Sequence, residues 1–381
     1  MGNNFLPYGI HYIDEEDIKE VVKVLESDWI TTGPKVKEFE DKICDYLGCK
    51  YAVAVSSGTA ALEIAVQSLD LPKNSEIITT PFTFVADSNA ILYNNHKPVF
   101  ADIREDTRNI DPNEIRKKIT KKTKAIIYVD YAGQPCEIDE IREIAQENNL
   151  YLIEDAAHAL GAEYHGKKVG NFADLTMFSF HPVKHITTGE GGMLTTNDEE
   201  LYRRLKLLRN HGIDKDAGER YGKNAGYAYD MKLLGRNYRI TDFQCALGIS
   251  QLKKLDKFIE RRQTLAKKYN DALKDIKEIT IPYVKENVKH VWHLYTILLN
   301  GIDRDKFFEY MRNNNIGVNV HYIPVYHFSY YKKYFNFNPN DFPVTEEVFN
   351  KIVTLPLFPK MEDEEITYVI NTVKETIDEI K

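Results

Sequence analysis

Short β-rich runs alternate with helical patterns over the first two thirds of this chain. That alternation constrains the fold more than any other feature. The run YAVAVS at 51–56 precedes GTAALEIAVQSL at 58–69, EIITTP at 76–81 precedes FVADSNAILYN at 84–94, and AIIYVDY at 125–131 precedes EIDEIREIAQENN at 137–149. YLIEDAA (151–157), LTMFSF (175–180) and GGMLTTN (191–197) follow. Parallel strands must be joined by a crossover, most often a helix, so the rhythm predicts crossover units and a mainly parallel sheet.

A long helical pattern covers 241–274, with Thr241 placed to cap it. Beyond it the rhythm changes. VWHLYTILL (291–299) and GVNVHYIPV (317–325) read as strands, RDKFFEYMRNNN (304–315) as a helix, and the last twenty residues as an amphipathic helix. The expected fold is α/β. A large sheet domain spans 1–250, and a smaller α+β domain spans 251–381 and includes the long linking helix. The first residues are free to pack on the smaller lobe. With 381 residues, 43% of them hydrophobic, the chain is long and apolar enough for both.

Several function classes drop out. The net charge is -8 and no long basic block occurs, which argues against nucleic acid as a partner. No apolar stretch reaches the length of a membrane span, and MGNNFLPYGIHYIDEED lacks a signal-peptide core. Cys44, Cys49, Cys136 and Cys245 have no metal-like spacing, which fits free thiols in a reducing cytoplasm. His290 and His293 in HVWHLY would point to opposite faces of a strand, and no third ligand is evident, so they read as structural and no metal is expected.

In open α/β sheets, ligands bind beyond the carboxyl ends of the strands. Ser57, Gly58 and Thr59 follow the first run at a predicted helix start, where free backbone N–H groups can cradle a phosphate. The sequence there is neither a Walker loop nor GxGxxG, and taken alone it is an ordinary capped helix. Glu154 and Asp155 end the YLIED run and must face opposite ways, so at most one enters a site directly. Ser179 ends LTMFS, Lys184 follows in the loop, and the glycines between Gly189 and Gly192 allow a tight turn. A phosphate cradle, an acid and a lysine in this order meet the needs of pyridoxal phosphate (PLP). Its aldehyde requires a lysine, its ring nitrogen an acid, and its phosphate a helix terminus and hydroxyls.

The stretches SSGTAAL, TTPFTFVADSNAI, VDYAGQ, IEDAAHALGAEY, FSFHPVKHITTGEGGMLTTND and GRNYRITDFQCALGISQL resemble the DegT/DnrJ-type nucleotide-sugar aminotransferases over nearly the whole chain. The resemblance implies the aspartate-aminotransferase-like PLP fold (type I) and a homodimer with shared active sites. It implies Lys184 as the Schiff-base lysine, Asp155 as the partner of the pyridine nitrogen, Phe84 stacked on the ring, and His158 beside the ring and its hydroxyl. Gly58, Thr59 and Ser179 would bind the phosphate, and Asn237 would reach the phosphate in the neighbouring subunit. Thr31, Glu190, His321 and Tyr322 are the candidate sugar contacts.

Within that family, SFHPVKHITTGEGG, VDYAGQPCEID, HALGAEYHGKKVG and VHYIPVY are most similar to the members of pseudaminic acid biosynthesis. That implies transfer of an amino group from L-glutamate to carbon 4 of a UDP-linked 2-acetamido-2,6-dideoxy-4-keto-L-sugar. Other 4-keto sugars of the D-epimer, bacillosamine or perosamine type are the alternatives. PLP-dependent sugar dehydratases of the family carry histidine in place of the lysine; here His185 is adjacent, but Lys184 stands in register, which favours transamination. A non-catalytic regulator would be expected to have lost Lys184 or Asp155, and both are present.

Overall fold

The computed structural model describes residues 5–215 and 227–381. Helices α1 (Glu15–Leu25) and α2 (Pro34–Leu47) lead into β1 (Tyr51–Val55), α3 (Gly58–Ser68), β2 (Glu76–Thr79), α4 (Ala86–Tyr93) and β3 (Lys97–Phe100). There follow α5 (Pro112–Lys118), β4 (Thr123–Val129), α6 (Ile138–Asn148) and β5 (Tyr151–Asp155). The short strands β6 (Glu163–Tyr164) and β7 (Lys167–Lys168) precede β8 (Leu175–Ser179), β9 (Gly192–Thr196) and α7 (Glu199–Arg209).

The main sheet has seven strands in the order β1-β9-β8-β5-β4-β2-β3. Its pairings are parallel from β8 through to β3, and only β9 runs against its neighbours β1 and β8. The strands are apolar almost throughout because helices cover both faces. Alternation still divides them. Ile77, Ile127 and Ile153 join the core under α3 and α7, while their neighbours Ile78, Ile126 and Leu152 join the core under α6.

A second unit contains a three-stranded antiparallel sheet, Ile279–Thr280, Tyr295–Leu299 and Ile352–Leu355, with the helices Arg304–Asn313 and Asp363–Ile380 packed on it. Leu6 is part of this core, and its N–H donates to the carbonyl of Asn315 (2.8 Å).

The long helix expected over 241–274 is two helices, Asp242–Leu252 and Leu255–Leu273, broken at Lys253–Lys254. The break carries the Lys254 ammonium to Asp14 (2.8 Å) and to the buried Asp17 (2.7 Å) at the start of α1. Gln251, just before it, also donates to Asp17 (2.6 Å). The second of these helices serves two cores. Leu255 and Ile259 pack with the large sheet, whereas Leu265, Tyr269 and Leu273 pack in the smaller unit. Between them the fully buried Arg262 donates to the carbonyls of Trp292 (3.2 Å), His293 (3.2 Å) and Leu357 (2.8 Å).

The predicted strand 291–299 is a strand only over Tyr295–Leu299, and the predicted strand 317–325 is not one. Residues 291–294 bond instead to the turn Tyr131–Gly133: the Val291 N–H donates to Gly133 and the His293 N–H to Ala132, while Trp292 lies in the left-handed region at φ 52°. The run 317–325 makes one bridge, Asn319 to Thr354. Pro324 has no N–H to give a ladder, and the Val325 N–H goes to the carbonyl of Pro81 (2.9 Å). Among the described residues, no helix is long and apolar enough to cross a membrane, and no group of three His, Cys, Asp or Glu is placed to hold a metal.

Candidate active site

The parallel strands end on one edge of the sheet, and β9, running the other way, begins there. The loops beyond β1, β2, β5 and β8 line a cavity of about 650 Å³, within the range of small-molecule sites. Ser57, Gly58, Thr59, Phe84, Asp155, His158, Ser179, Lys184, Glu190, His321 and Tyr322 all face it.

One end of the cavity is the N-terminus of α3. The Ser57 hydroxyl accepts from the Ala60 N–H (3.0 Å), which leaves the N–H groups of Gly58 and Thr59 without intrahelical acceptors. A side chain on Gly58 would lie 3.1 Å from Cβ of Ser179, and one on Gly192 would lie 2.5 Å from the Ser57 carbonyl oxygen. The end of β8 and the start of β9 therefore close on this terminus with no space to spare. The resulting seat of amides and hydroxyls suits a tetrahedral anion.

The carboxylates at the end of β5 face opposite ways, as the strand geometry requires. Glu154 turns away from the cavity, accepting from the Thr176 hydroxyl (2.8 Å) and the Gly170 N–H (3.3 Å); burial pushes its carboxyl up to about 7. Asp155 turns inward and accepts from the Ala157 N–H (2.8 Å). Burial raises its proton affinity too, opposed by that bond and by the Lys184 charge. Lys184 is half-buried, with part of its surface in the cavity. Desolvation pushes its ammonium down to about 8, with the Asp155 carboxylate opposing the shift.

His158 is buried, with Nδ1 accepting from the Ala132 N–H (3.2 Å) and Nε2 3.0 Å from the Tyr322 hydroxyl. Burial and the neighbouring charge of Lys184 hold it neutral, well below the usual histidine range. A neutral ring that accepts at Nδ1 carries its hydrogen at Nε2. His158 therefore donates to Tyr322, and the Tyr322 hydrogen is free to point elsewhere. Tyr131 donates to the His321 carbonyl (2.6 Å), and Nδ1 of His321 lies 2.9 Å from the Thr354 hydroxyl. Phe84 stands at the cavity mouth, 60% exposed, with a ring face open to a planar ligand.

Thr31 and Asn237 are not brought to this cavity. Thr31 is exposed and bridges to Thr241, and Asn237 is exposed and bridges to Asn210. Tyr8 and Asn319, not singled out in the sequence, also line it, and so does His293, which the sequence analysis reads as structural. His293 packs its ring 4.2 Å from that of His158, centroid to centroid. The opposite-face argument for a structural role assumed a strand here, and residues 291–294 are not in one. His290 packs flat on Trp292, 4.0 Å between centroids.

A half-buried lysine, an inward carboxyl and an amide-lined anion seat in one cavity are what pyridoxal phosphate requires of a protein. The comparison with known proteins agrees. Residues 11–374 match the DegT/DnrJ/EryC1/StrS aminotransferase family. A UDP-4-amino-4,6-dideoxy-N-acetyl-beta-L-altrosamine transaminase of Campylobacter jejuni is 42% identical over 334 residues, covering 86% of each chain. An aminotransferase of Helicobacter pylori involved in the biosynthesis of pseudaminic acid superposes with a TM-score of 0.92 at 35% identity, covering 99% of this chain and 100% of its own. A proposed sugar aminotransferase of Streptococcus pneumoniae in its PLP-form superposes with a TM-score of 0.93 at 31% identity, again over 99% and 100%. The fold is that of a PLP-dependent transaminase of fold type I. The chain belongs to the DegT/DnrJ/EryC1/StrS aminotransferase family and is a sugar aminotransferase.

Proposed function

We propose that this enzyme transfers the amino group of L-glutamate to carbon 4 of a UDP-linked 2-acetamido-2,6-dideoxy-4-keto-L-sugar, in the cytoplasm and in pseudaminic acid biosynthesis. The observation that carries this reading is the 42% identity to a transaminase named for the altrosamine product. Placement of Lys184 and Asp155 in one cavity supports it.

Bound pyridoxal phosphate supplies an aldehyde and an electron-accepting ring. The chain's own residues do the rest. The α3 terminus with Gly58, Thr59 and Ser179 holds the phosphate. Asp155 keeps a proton on the ring nitrogen. Phe84 covers the ring, and His158 holds Tyr322 at its edge. The Lys184 amine would hold the cofactor's aldehyde and, when free, would serve as the acid-base for the proton on the donor's α-carbon. Glu190, His321 and Tyr322 contact the sugar. Thr31 is a further candidate sugar contact, and Asn237, exposed on its own chain, reaches the phosphate in the neighbouring subunit of a homodimer with shared sites.

The test offers purified enzyme the 4-keto L-sugar and its D-epimer separately, with glutamate, and follows the products by mass. An aminated product from the L-sugar is expected. Amination of the D-epimer alone overturns the substrate, and dehydration without amination overturns the reaction.

A further inference from the structure

Asp155 is not alone. Asp87, in the first turn of α4, is completely buried behind it, and the two carboxyl groups are within hydrogen-bonding reach of each other. The Thr83 hydroxyl donates to Oδ2 of Asp87 (2.9 Å), while Oδ1 is enclosed with no donor facing it. Two acceptor-only carboxylates cannot satisfy one another, and a buried one left without a donor is costly. A single proton held between them removes both problems. Such sharing is what like charges in one buried site are driven to.

We propose that Asp87 is a positioning residue for the transamination reaction: it carries the shared proton, donates it as a hydrogen bond to Asp155, and so keeps Asp155 the charged member of the pair. This rests on Asp155 being the partner of the cofactor's ring nitrogen. The remaining groups around the pair agree with one net negative charge. Lys184 lies on the cavity side as the matching cation. Tyr322 lies near both carboxyls and Tyr331 near Asp87, and burial raises both phenols, Tyr331 to about 12, so neither adds charge near neutral pH. Burial drives Asp155 toward its acid form, and the bond from Asp87 opposes this. Asp87 itself, the more deeply enclosed, has its proton affinity raised far above that of an ordinary aspartate.

The reading separates cleanly from a merely structural role. Asp87→Asn keeps shape and a donor, and leaves one negative charge. Asp87→Leu cannot donate. Without the donated bond Asp155 takes up a proton at higher pH, so cofactor affinity should fail as pH drops. Apoenzyme is titrated with pyridoxal phosphate at pH 6 and pH 8.5, and each dissociation constant is divided by that of the wild type. Asp87→Asn is expected within about threefold at both pH values, and Asp87→Leu weakened about tenfold at pH 6 with recovery at pH 8.5. Thr83→Val, which frees Asp87 to turn, should shift affinity the same way by a smaller factor and serves if the leucine variant does not fold. The proposal is overturned if Asp87→Asn is as damaging as Asp87→Leu, because Asp87 would then act as a charge. It is equally overturned if Asp87→Leu or Thr83→Val shows no pH-dependent loss. An Asp155→Asn enzyme with unaltered affinity would remove the assignment of Asp155, and this proposal with it.

Discussion

The Lys184 ammonium sits where burial strips its hydration and nearby carboxyl groups, Asp155 foremost, oppose the loss. Held at about 8, it is neutral in about one molecule in eleven at pH 7, against about one in 3,000 for an ordinary lysine. The nucleophilic population is thus enriched roughly 300-fold before any cofactor arrives. Acetic anhydride, which acylates only neutral amines, measures this directly. Apoenzyme labelled at a series of pH values and analysed by peptide mass spectrometry should give a half-point near 8 at Lys184, with exposed lysines as internal reference. Asp155→Asn deletes the anion that favours the charged amine, so the half-point must fall. A drop of about one unit, at the low end for a close charge pair, would bring half the amines to neutrality at pH 7 and raise labelling roughly fivefold. A wild-type half-point above 10 would refute the desolvation argument. Slower labelling in Asp155→Asn would refute the coupling.

Gly192→Ala places a methyl 2.5 Å from the Ser57 carbonyl oxygen and 2.9 Å from the Gly58 nitrogen, both backbone atoms that cannot swing aside. Equilibrium dialysis should find pyridoxal phosphate bound at least about fivefold more weakly, since overpacking of this kind costs about 1–3 kcal/mol; normal affinity would show that the seat lies elsewhere. Glu154 tests the other face of β5. Its folded carboxyl stands near 7 against 4.5 for a free glutamate, so it contributes stability that is complete below 4.5 and lost as pH rises through 7. Glu154→Gln should retain cofactor while flattening the fall in urea stability between pH 5 and 8, by an amount on the order of 2 kcal/mol. An unchanged pH slope would contradict this.

Much of the site was legible because strand ends dictate it. Once YLIED and LTMFS are placed as strands, period two sends Asp155 one way and Glu154 the other, and Lys184 must lie in the loop beyond Ser179. The small residues after YAVAV likewise announce the α3 terminus. What escaped depends on partners distant in sequence. No glycine or proline marks the break at Lys253–Lys254; the turn is held by Asp14 and Asp17 at the far end of the chain. VWHL has the composition of a strand, yet its backbone groups are taken by the turn at Ala132. Asp87 sits within a helical pattern as an ordinary first-turn acid, and only its burial against Asp155 gives it meaning. Thr31 and Asn237 lie outside the cavity of their own chain, where no rule about strand ends reaches them.

The helix Leu255–Leu273 belongs to two cores at once, and Arg262 at its middle fastens the carbonyls of Trp292, His293 and Leu357. A chain of this size would ordinarily melt lobe by lobe. Here neither lobe keeps its interior if that helix unravels, so the two are tied into a common unfolding unit. A ligand held by the sheet edge then protects the carboxyl-terminal residues as well, by about 2.7 kcal/mol at a hundredfold excess over its dissociation constant. Damage to the far lobe, conversely, empties the cavity without touching a residue in it.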